Sequence, residues 1–231
     1  MMYTALIIEP RRHTALQFVL KNFLENLDER WQFIIFHGTD NEQWLRDMID
    51  TEFIPDKDRI QLNNLNVPNI AWEEYNRLCT SAEFIEQIPT EIFLIFQTDT
   101  MICPSEKNMI YEFIKYDYVG APWLKTPGSS NEFDGKVGNG GLSLRRKSKL
   151  LEIIKKYPYA YGIAEDGYFC VYNDTIELHR PSYEEAQLFS METVFSPRCF
   201  GLHKAWLYQG DKIEEIESRF PGYKELIRLQ F

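Results

Sequence analysis

Gln97-Thr98-Asp99-Thr100 follows the most apolar run of this 231-residue chain, Glu91-Ile-Phe-Leu-Ile-Phe96, and puts a hard oxygen donor where a buried strand must end. A nearly unbroken apolar run reads as a central strand covered on both faces. Open α/β sheets bind ligands in the crevice outside the carboxyl ends of such strands. Asp99 there could hold a divalent cation, or it could do no more than cap the next turn. Phe200-Gly-Leu-His-Lys-Ala-Trp206 sets an imidazole and an amine side by side in an otherwise apolar stretch. One carboxylate with one imidazole suits manganese better than magnesium, which prefers an all-oxygen octahedron. Glu165-Asp166 opens a helical segment, where free N–H groups and the macrodipole favour acids whatever the chemistry. Facing a crevice, one of the two would instead be a general base tuned by its like-charged neighbour. Gly138-Asn-Gly-Gly-Leu-Ser-Leu-Arg145 offers either a tight turn or a stretch whose missing Cβ atoms let backbone approach a bulky ligand.

The elements that must position these groups follow from periodicity. Tyr3 to Ile8 is a strand that stops at Glu9-Pro10, and Leu16, Val19, Leu20, Phe23, Leu24 and Leu27 then recur at helical spacing. Thr14 with Gln17 reads as a capping box, which starts that helix near Ala15. Trp31 to Phe36 is a second strand closed by Gly38, and Asn41 to Met48 a second, shorter helix. Strand, helix, strand implies a parallel pair with a right-handed crossover. Asn63 to Pro68 reads as a polar loop, and Trp72 to Cys79 and Ser81 to Glu86 as short helices leading to the apolar strand. Beyond it, Glu106 to Tyr116 is helical, Tyr118-Val119 extended, and Pro122 to Lys136 a polar loop long enough to act as a flap. Leu142 to Leu144 is a strand, Ser148 to Lys156 a basic amphipathic helix, Glu165 to Tyr172 a helix, and Lys212 to Phe231 a helical tail broken at Pro221-Gly222.

Composition removes several classes. With 44% hydrophobic residues, 15% aromatic and no low-complexity stretch, the chain can bury one core and is too short for two full-sized domains. A net charge of −10 lacks the positive field that nucleic-acid binding needs. The longest apolar runs fall far below the roughly 20 residues a bilayer requires, so no membrane span is expected. The N-terminus shows no basic head and apolar stretch of signal-peptide form, so the expected location is cytoplasmic. Cys79, Cys103, Cys170 and Cys199 stand singly and read as reduced, mostly buried thiols. Cys199-x-x-x-His203 lacks a second pair to complete a zinc site. There is no dinucleotide fingerprint, Walker loop, His-Glu-x-x-His or Gly-x-Ser-x-Gly.

Taken in order, Ile7-Ile-Glu9-x-Arg11, Tyr75-Asn-Arg77, Phe96-Gln-Thr-Asp-Thr100, Tyr118-Val-Gly-Ala-Pro-Trp123, Gly138-Asn-Gly-Gly-Leu-Ser143, Glu165-Asp166 and Gly201-Leu-His203 resemble a family of uncharacterised domains grouped with glycosyltransferases of the GT-A fold. The resemblance spans nearly the whole chain. It implies one α/β, GT-A-like domain over residues 1–231, of Rossmann type, with a mostly parallel central sheet flanked by helices. It also implies a nucleotide-diphosphate-sugar donor, most often a UDP-sugar, and Mn²⁺ or Mg²⁺. Gln97-Thr98-Asp99 is similar to the Asp-x-Asp metal turn, with Asp99 the retained carboxylate and His203 the C-terminal metal ligand. Gln97 departs from the acidic first position, which implies weaker metal affinity. Lys204 and Trp206 resemble a Lys-Pro-Trp whose lysine meets the diphosphate, with Ala205 replacing the proline. Glu165-Asp166 is similar to the pair of inverting members, whose aspartate is the base.

These readings combine into an expectation of metal-assisted, inverting glycosyl transfer to a glycan, glycoprotein or small-molecule acceptor. Asp99 and His203 hold the cation, Lys204 meets the departing diphosphate and Asp166 takes the acceptor proton. Gln97 and Thr98 face the donor. Glu9, Arg11, Asn76 and Arg77 are candidates for the nucleotide. The Gly140-Gly141 backbone and the Trp123 flap are candidates for the sugar or acceptor. Two rivals stand beside it. A sugar-nucleotidyltransferase would release pyrophosphate but typically carries a Gly- and Lys-rich first loop, which Glu9 to Ala15 lacks. A catalytically silent nucleotide-sugar- or carbohydrate-binding module is suggested by Gln97.

Overall fold

In the computed structural model, which describes residues 1–231, the first half of the chain is built from strands alternating with helices. These are β1 (Tyr3–Ile8), α1 (Leu16–Asn26), β2 (Trp31–His37), α2 (Glu42–Glu52), β3 (Ile60–Asn64), α3 (Trp72–Cys79), α4 (Ala82–Glu86) and β4 (Ile92–Ile95). The chain continues through β5 (Thr100–Ile102), a 3₁₀ segment over Pro104–Met109, α5 (Ile110–Phe113), β6 (Tyr118–Gly120), β7 (Ser143–Arg146), α6 (Lys147–Lys156) and α7 (Glu165–Gly167). It ends with α8 (Tyr183–Phe189), β8 (Ser190–Met191), β9 (Gly201–His203), α9 (Ile213–Arg219) and α10 (Tyr223–Arg228).

Six strands form the main sheet in the order β3-β2-β1-β4-β7-β6. β1 to β4 run parallel, and β7 alone runs against its neighbours β4 and β6. Alternation along each strand divides the core between the two faces. Ala5 and Ile7 of β1, with Phe33 and Ile35 of β2, pack under α1, α2 and the C-terminal helices. Leu6, Ile34, Phe93 and Ile95 point the other way, onto α4 and α6. All four cysteines are buried and unpaired. No helix is long and apolar enough to cross a membrane.

Several local expectations are corrected. Thr14 caps nothing: its hydroxyl donates to the Leu229 carbonyl at 2.5 Å, and α1 begins without a side-chain cap. α2 runs on to Glu52 and equals α1 at 11 residues. The first residues of the expected polar loop belong to β3, an edge strand whose Ile60 and Leu62 are only half-buried, so its alternation is weak. Only Ile110–Phe113 of the expected 106–116 helix is α-helical, because Pro104 opens a 3₁₀ segment there. After Gly167 the expected helix widens into a π turn over Tyr168–Tyr172. The flap is an internally hydrogen-bonded loop: Trp123 N–H donates to the Lys136 carbonyl at 2.9 Å, and Thr126 N–H to the Asp134 carboxylate at 2.8 Å.

A second, three-stranded sheet, β5-β9-β8, was not expected at all. Strands of two and three residues carry no readable period. This small sheet sits beyond the carboxyl end of β4 and positions the site.

Candidate functional site

After β4 the backbone turns sharply. Thr100 donates both its N–H (3.3 Å) and its hydroxyl (2.7 Å) to the Gln97 carbonyl, which leaves Asp99 at the tip. β5 then pairs antiparallel with β9, with Thr100 opposite His203, and Lys204 N–H donates to the Asp99 carbonyl at 2.9 Å. Residues more than a hundred positions apart in sequence are thereby fixed together, with His203 Nε2 3.3 Å from Asp99 Oδ1. The two atoms are buried and not aligned for a hydrogen bond with each other or with anything else.

The other ring nitrogen is accounted for. His203 Nδ1 lies 3.0 Å from Asn139 Oδ1, and that oxygen also accepts the Gly141 N–H at 3.1 Å. Nδ1 therefore carries a proton, and Nε2 is the nitrogen left facing Asp99. Burial alone would lower the His203 pKa, but Asp99 and then Glu192 outweigh it and raise it to about 9. Burial would likewise push Asp99 up, yet His203 and Lys204 hold its carboxyl below the ordinary value. Two donors on adjacent corners of an octahedron with bonds of about 2.1 Å lie about 3 Å apart. The orphaned pair therefore fits a cation. No group of three or more His, Cys, Asp or Glu side chains is arranged to hold a metal. The pair would thus supply two positions and leave the others to water and phosphate oxygens.

Across the cleft, α7 carries the second pair of acids. Glu165 is buried and receives two hydrogen bonds from Arg145 of β7, each 2.8 Å, while its N–H donates to Asn76 Oδ1 at 2.9 Å. Asp166 accepts the Gly140 N–H at 2.9 Å and the Gly167 N–H at 2.7 Å. Burial, and next the Glu165 charge, raise the Asp166 carboxyl to about 6 against those two donors. One acid is thus paired with a buried guanidinium, and the other is poised near neutrality, as a general base requires.

The cleft between these groups has a volume of about 440 Å³. It is lined by Glu9, Arg11, Asn76, Gln97, Thr98, Asp99, Gly140, Gly141, Asp166, His203 and Lys204, by Tyr75 and Asn139, which stand in the quoted motifs without an assigned role, and by Trp72 and Glu192, which the residue patterns did not single out. Lys204, in the left-handed region at φ 33°, lies on the Asp99 side with its Nζ 3.8 Å from Oδ2. Gln97 donates to the Tyr75 hydroxyl at 3.2 Å, and the Thr98 carbonyl accepts from Gln230 at 2.8 Å.

Six expected binding residues need revision. Arg77 is exposed and does not line the cleft; it follows Asn76 by one position on α3, a rotation of about 100°. Asn76 is buried with both amide atoms engaged, by Glu165 N–H and the Trp72 carbonyl, so it positions α7. Trp123 packs edge-on against Phe133 at 4.9 Å and does not line the cleft. Gly140 and Gly141 lack side chains for an internal reason: a Cβ on Gly140 would overlap the Glu165 carboxylate, and one on Gly141 the His203 ring. Glu9 is closed on itself, since both its oxygens accept from the Arg11 guanidinium at 2.8 Å.

Gly141→Ala is therefore expected to displace the His203 imidazole, costing about 1–3 kcal/mol of stability by overpacking. It should also disable cation binding, which titration of Mn²⁺ into the folded variant checks.

A family model described as "Protein of unknown function (DUF5672)" matches residues 59–204. No curated protein matches the chain. Among solved structures, galactosyltransferase LgtC in complex with donor and acceptor sugar analogs is similar at 12% identity, with a TM-score of 0.57 over 97% of this chain and 94% of that one. An active-site mutant of LgtC is similar at 14% identity, TM-score 0.55, over 98% and 95%. The mannosyltransferase PcManGT from Pyrobaculum calidifontis, in complex with GDP-Man and Mn²⁺, is similar at 13% identity, TM-score 0.46, over 71% and 49%. At such identities the likeness is one of fold, and the fold is of the GT-A type, with a mostly parallel sheet flanked by helices.

Proposed function

Starting from membership of the DUF5672 family, to which this chain belongs, we propose that it is a metal-dependent glycosyltransferase acting as one domain over residues 1–231. It moves a sugar from a nucleotide-diphosphate-sugar, by preference a UDP-sugar, to an acceptor hydroxyl with inversion. The observation that carries this reading is one cleft with an orphaned carboxylate–imidazole pair on one side and a carboxyl raised to about 6 on the other. The first suits a diphosphate-bound cation and the second suits proton abstraction.

Asp99 and His203 would hold Mn²⁺ or Mg²⁺, which when bound supplies positive charge to the diphosphate leaving group. Lys204 adds a second positive charge on the same side of the cleft. Asp166 accepts the proton of the acceptor hydroxyl. As the acceptor oxygen bonds to the anomeric carbon, the bond from that carbon to the β-phosphate oxygen breaks and the nucleoside diphosphate leaves with its electron pair. Arg145 and Glu165 keep α7 in place so that Asp166 faces the cleft.

The test is release of UDP from UDP-sugars in the presence of Mn²⁺, with product configuration read by NMR. Asp99→Ala is expected to lower the rate by about 100-fold or more, the equivalent of several kcal/mol of lost charge stabilisation. Unchanged turnover in Asp99→Ala and Asp166→Asn would remove both assigned roles, and release of pyrophosphate would point to nucleotidyl transfer.

A further inference from the structure

His203 has an acid on each side. Pairing of β5 with β9 delivers Asp99 to Nε2, and pairing of β8 with β9 delivers Glu192 to Nδ1. β8 and β9 run parallel with Met191 opposite Leu202, so the next residues along the two strands, Glu192 and His203, face one another. Glu192 Oε1 lies 3.5 Å from Nδ1, behind the 3.0 Å contact to Asn139. The segment is latched in that position because the Glu192 and Thr193 carbonyls both accept from Gln209 Nε2 at 3.1 Å.

The Glu192 carboxylate is 5% exposed, and its Oε2 has no hydrogen-bond partner. Its polar contact is the His203 imidazole, through Oε1. Burying a carboxylate with so little compensation is costly. Two buried acids, one facing each ring nitrogen, make an arrangement that fits positive charge at Nε2. A carboxylate behind a metal-ligating imidazole orients the ring and makes the far nitrogen a stronger donor.

We propose that Glu192 is a positioning residue for cation binding: it holds and polarises His203 from the Nδ1 side so that Nε2 and Asp99 take up the cation together. The inference rests on the metal pair of the proposed transferase. It is tested with Mn²⁺ in the presence of UDP, reading free Mn²⁺ by EPR, for the wild type, Glu192→Gln and His203→Ala. Glu192→Gln keeps the shape and removes the charge. It is expected to weaken Mn²⁺ binding by about 10- to 100-fold, while the unfolding midpoint of the metal-free protein does not fall, since a costly buried charge has been removed. Wild-type Mn²⁺ affinity in Glu192→Gln, with His203→Ala impaired, overturns the inference and leaves the metal pair standing. Weakened affinity accompanied by a lower metal-free midpoint also overturns it, because Glu192 would then be holding the fold. Equal binding by wild type and His203→Ala, or none by either, removes the metal pair and the inference with it.

Discussion

Asp166→Asn is expected to abolish transfer and, at neutral pH, to leave the protein more stable than the wild type. Loss of a positioned general base lowers turnover by about 10²- to 10⁴-fold. The proposed base would work only when ionised, so the wild-type rate should fall as pH drops through about 6, where burial and Glu165 place the Asp166 carboxyl. The same shift sets the sign of the stability effect. The folded state holds the Asp166 proton more tightly than the unfolded chain, whose carboxyl titrates near the ordinary 3.8. Ionising Asp166 therefore costs the fold nothing below 3.8, increasingly more between there and about 6, and a constant amount above. A shift of about two pH units corresponds to about 3 kcal/mol. The variant recovers part of this, because an Asn amide accepts only one of the two N–H bonds from Gly140 and Gly167 and so loses about 1 kcal/mol. Urea denaturation should show the variant ahead by about 1–2 kcal/mol at neutral pH, with the advantage vanishing in acid. A variant less stable than wild type at neutral pH, or one that still turns over, contradicts the assignment.

How much of this was legible depends on length of signal. β1, β2 and β4 could be read because each is a long apolar or β-branched run. Asp99 stood out because polar residues abruptly end the most apolar of them, and His203 because an imidazole is rare in an apolar tail. Their juxtaposition was not legible, since it depends on β5, β8 and β9, whose two or three residues show no alternation. Glu192 was invisible for the same reason: Met191-Glu192-Thr193 has no spacing that marks it, and only the pairing of β8 with β9 sets it behind His203. α8 was missed although Ser182 and Glu185 form a capping box that the sequence displays. The glycines at 140 and 141 were recognisable as special, but the space they leave is filled by Glu165 and His203. Arg145 stands beside Arg146 and Lys147 in the sequence and carries no mark of burial. Strand β7 instead turns it fully inward, against the Tyr118 ring at 4.8 Å.

That inward turn makes Arg145→Met the substitution expected to cost most stability. Arg145 is fully buried and makes four hydrogen bonds through its planar fork: to both Glu165 oxygens at 2.8 Å, the Ser143 hydroxyl at 2.9 Å and the Gly140 carbonyl at 3.3 Å. Methionine fills much of the volume but leaves the buried Glu165 carboxyl without its partner, at a cost of about 3–5 kcal/mol. Removing the stranded charge as well, in Arg145→Met with Glu165→Leu, should restore most of the loss, because a buried pair is expensive to break and cheap to replace by apolar groups. The double variant also separates stability from chemistry. Glu165 is the second-largest cause, after burial, of the raised Asp166 carboxyl, and Arg145 opposes it more weakly. With both charges gone, burial still holds Asp166 up, but the acid limb of the rate profile should move toward lower pH while the fold survives. Urea denaturation of the three proteins and the pH profile of the double variant check the two halves. If Arg145→Met costs no more than the roughly 0.5 kcal/mol typical of a surface change, the ion pair does not hold α7 in place, and the placement of Asp166 must then come from its own bonds to Gly140 and Gly167.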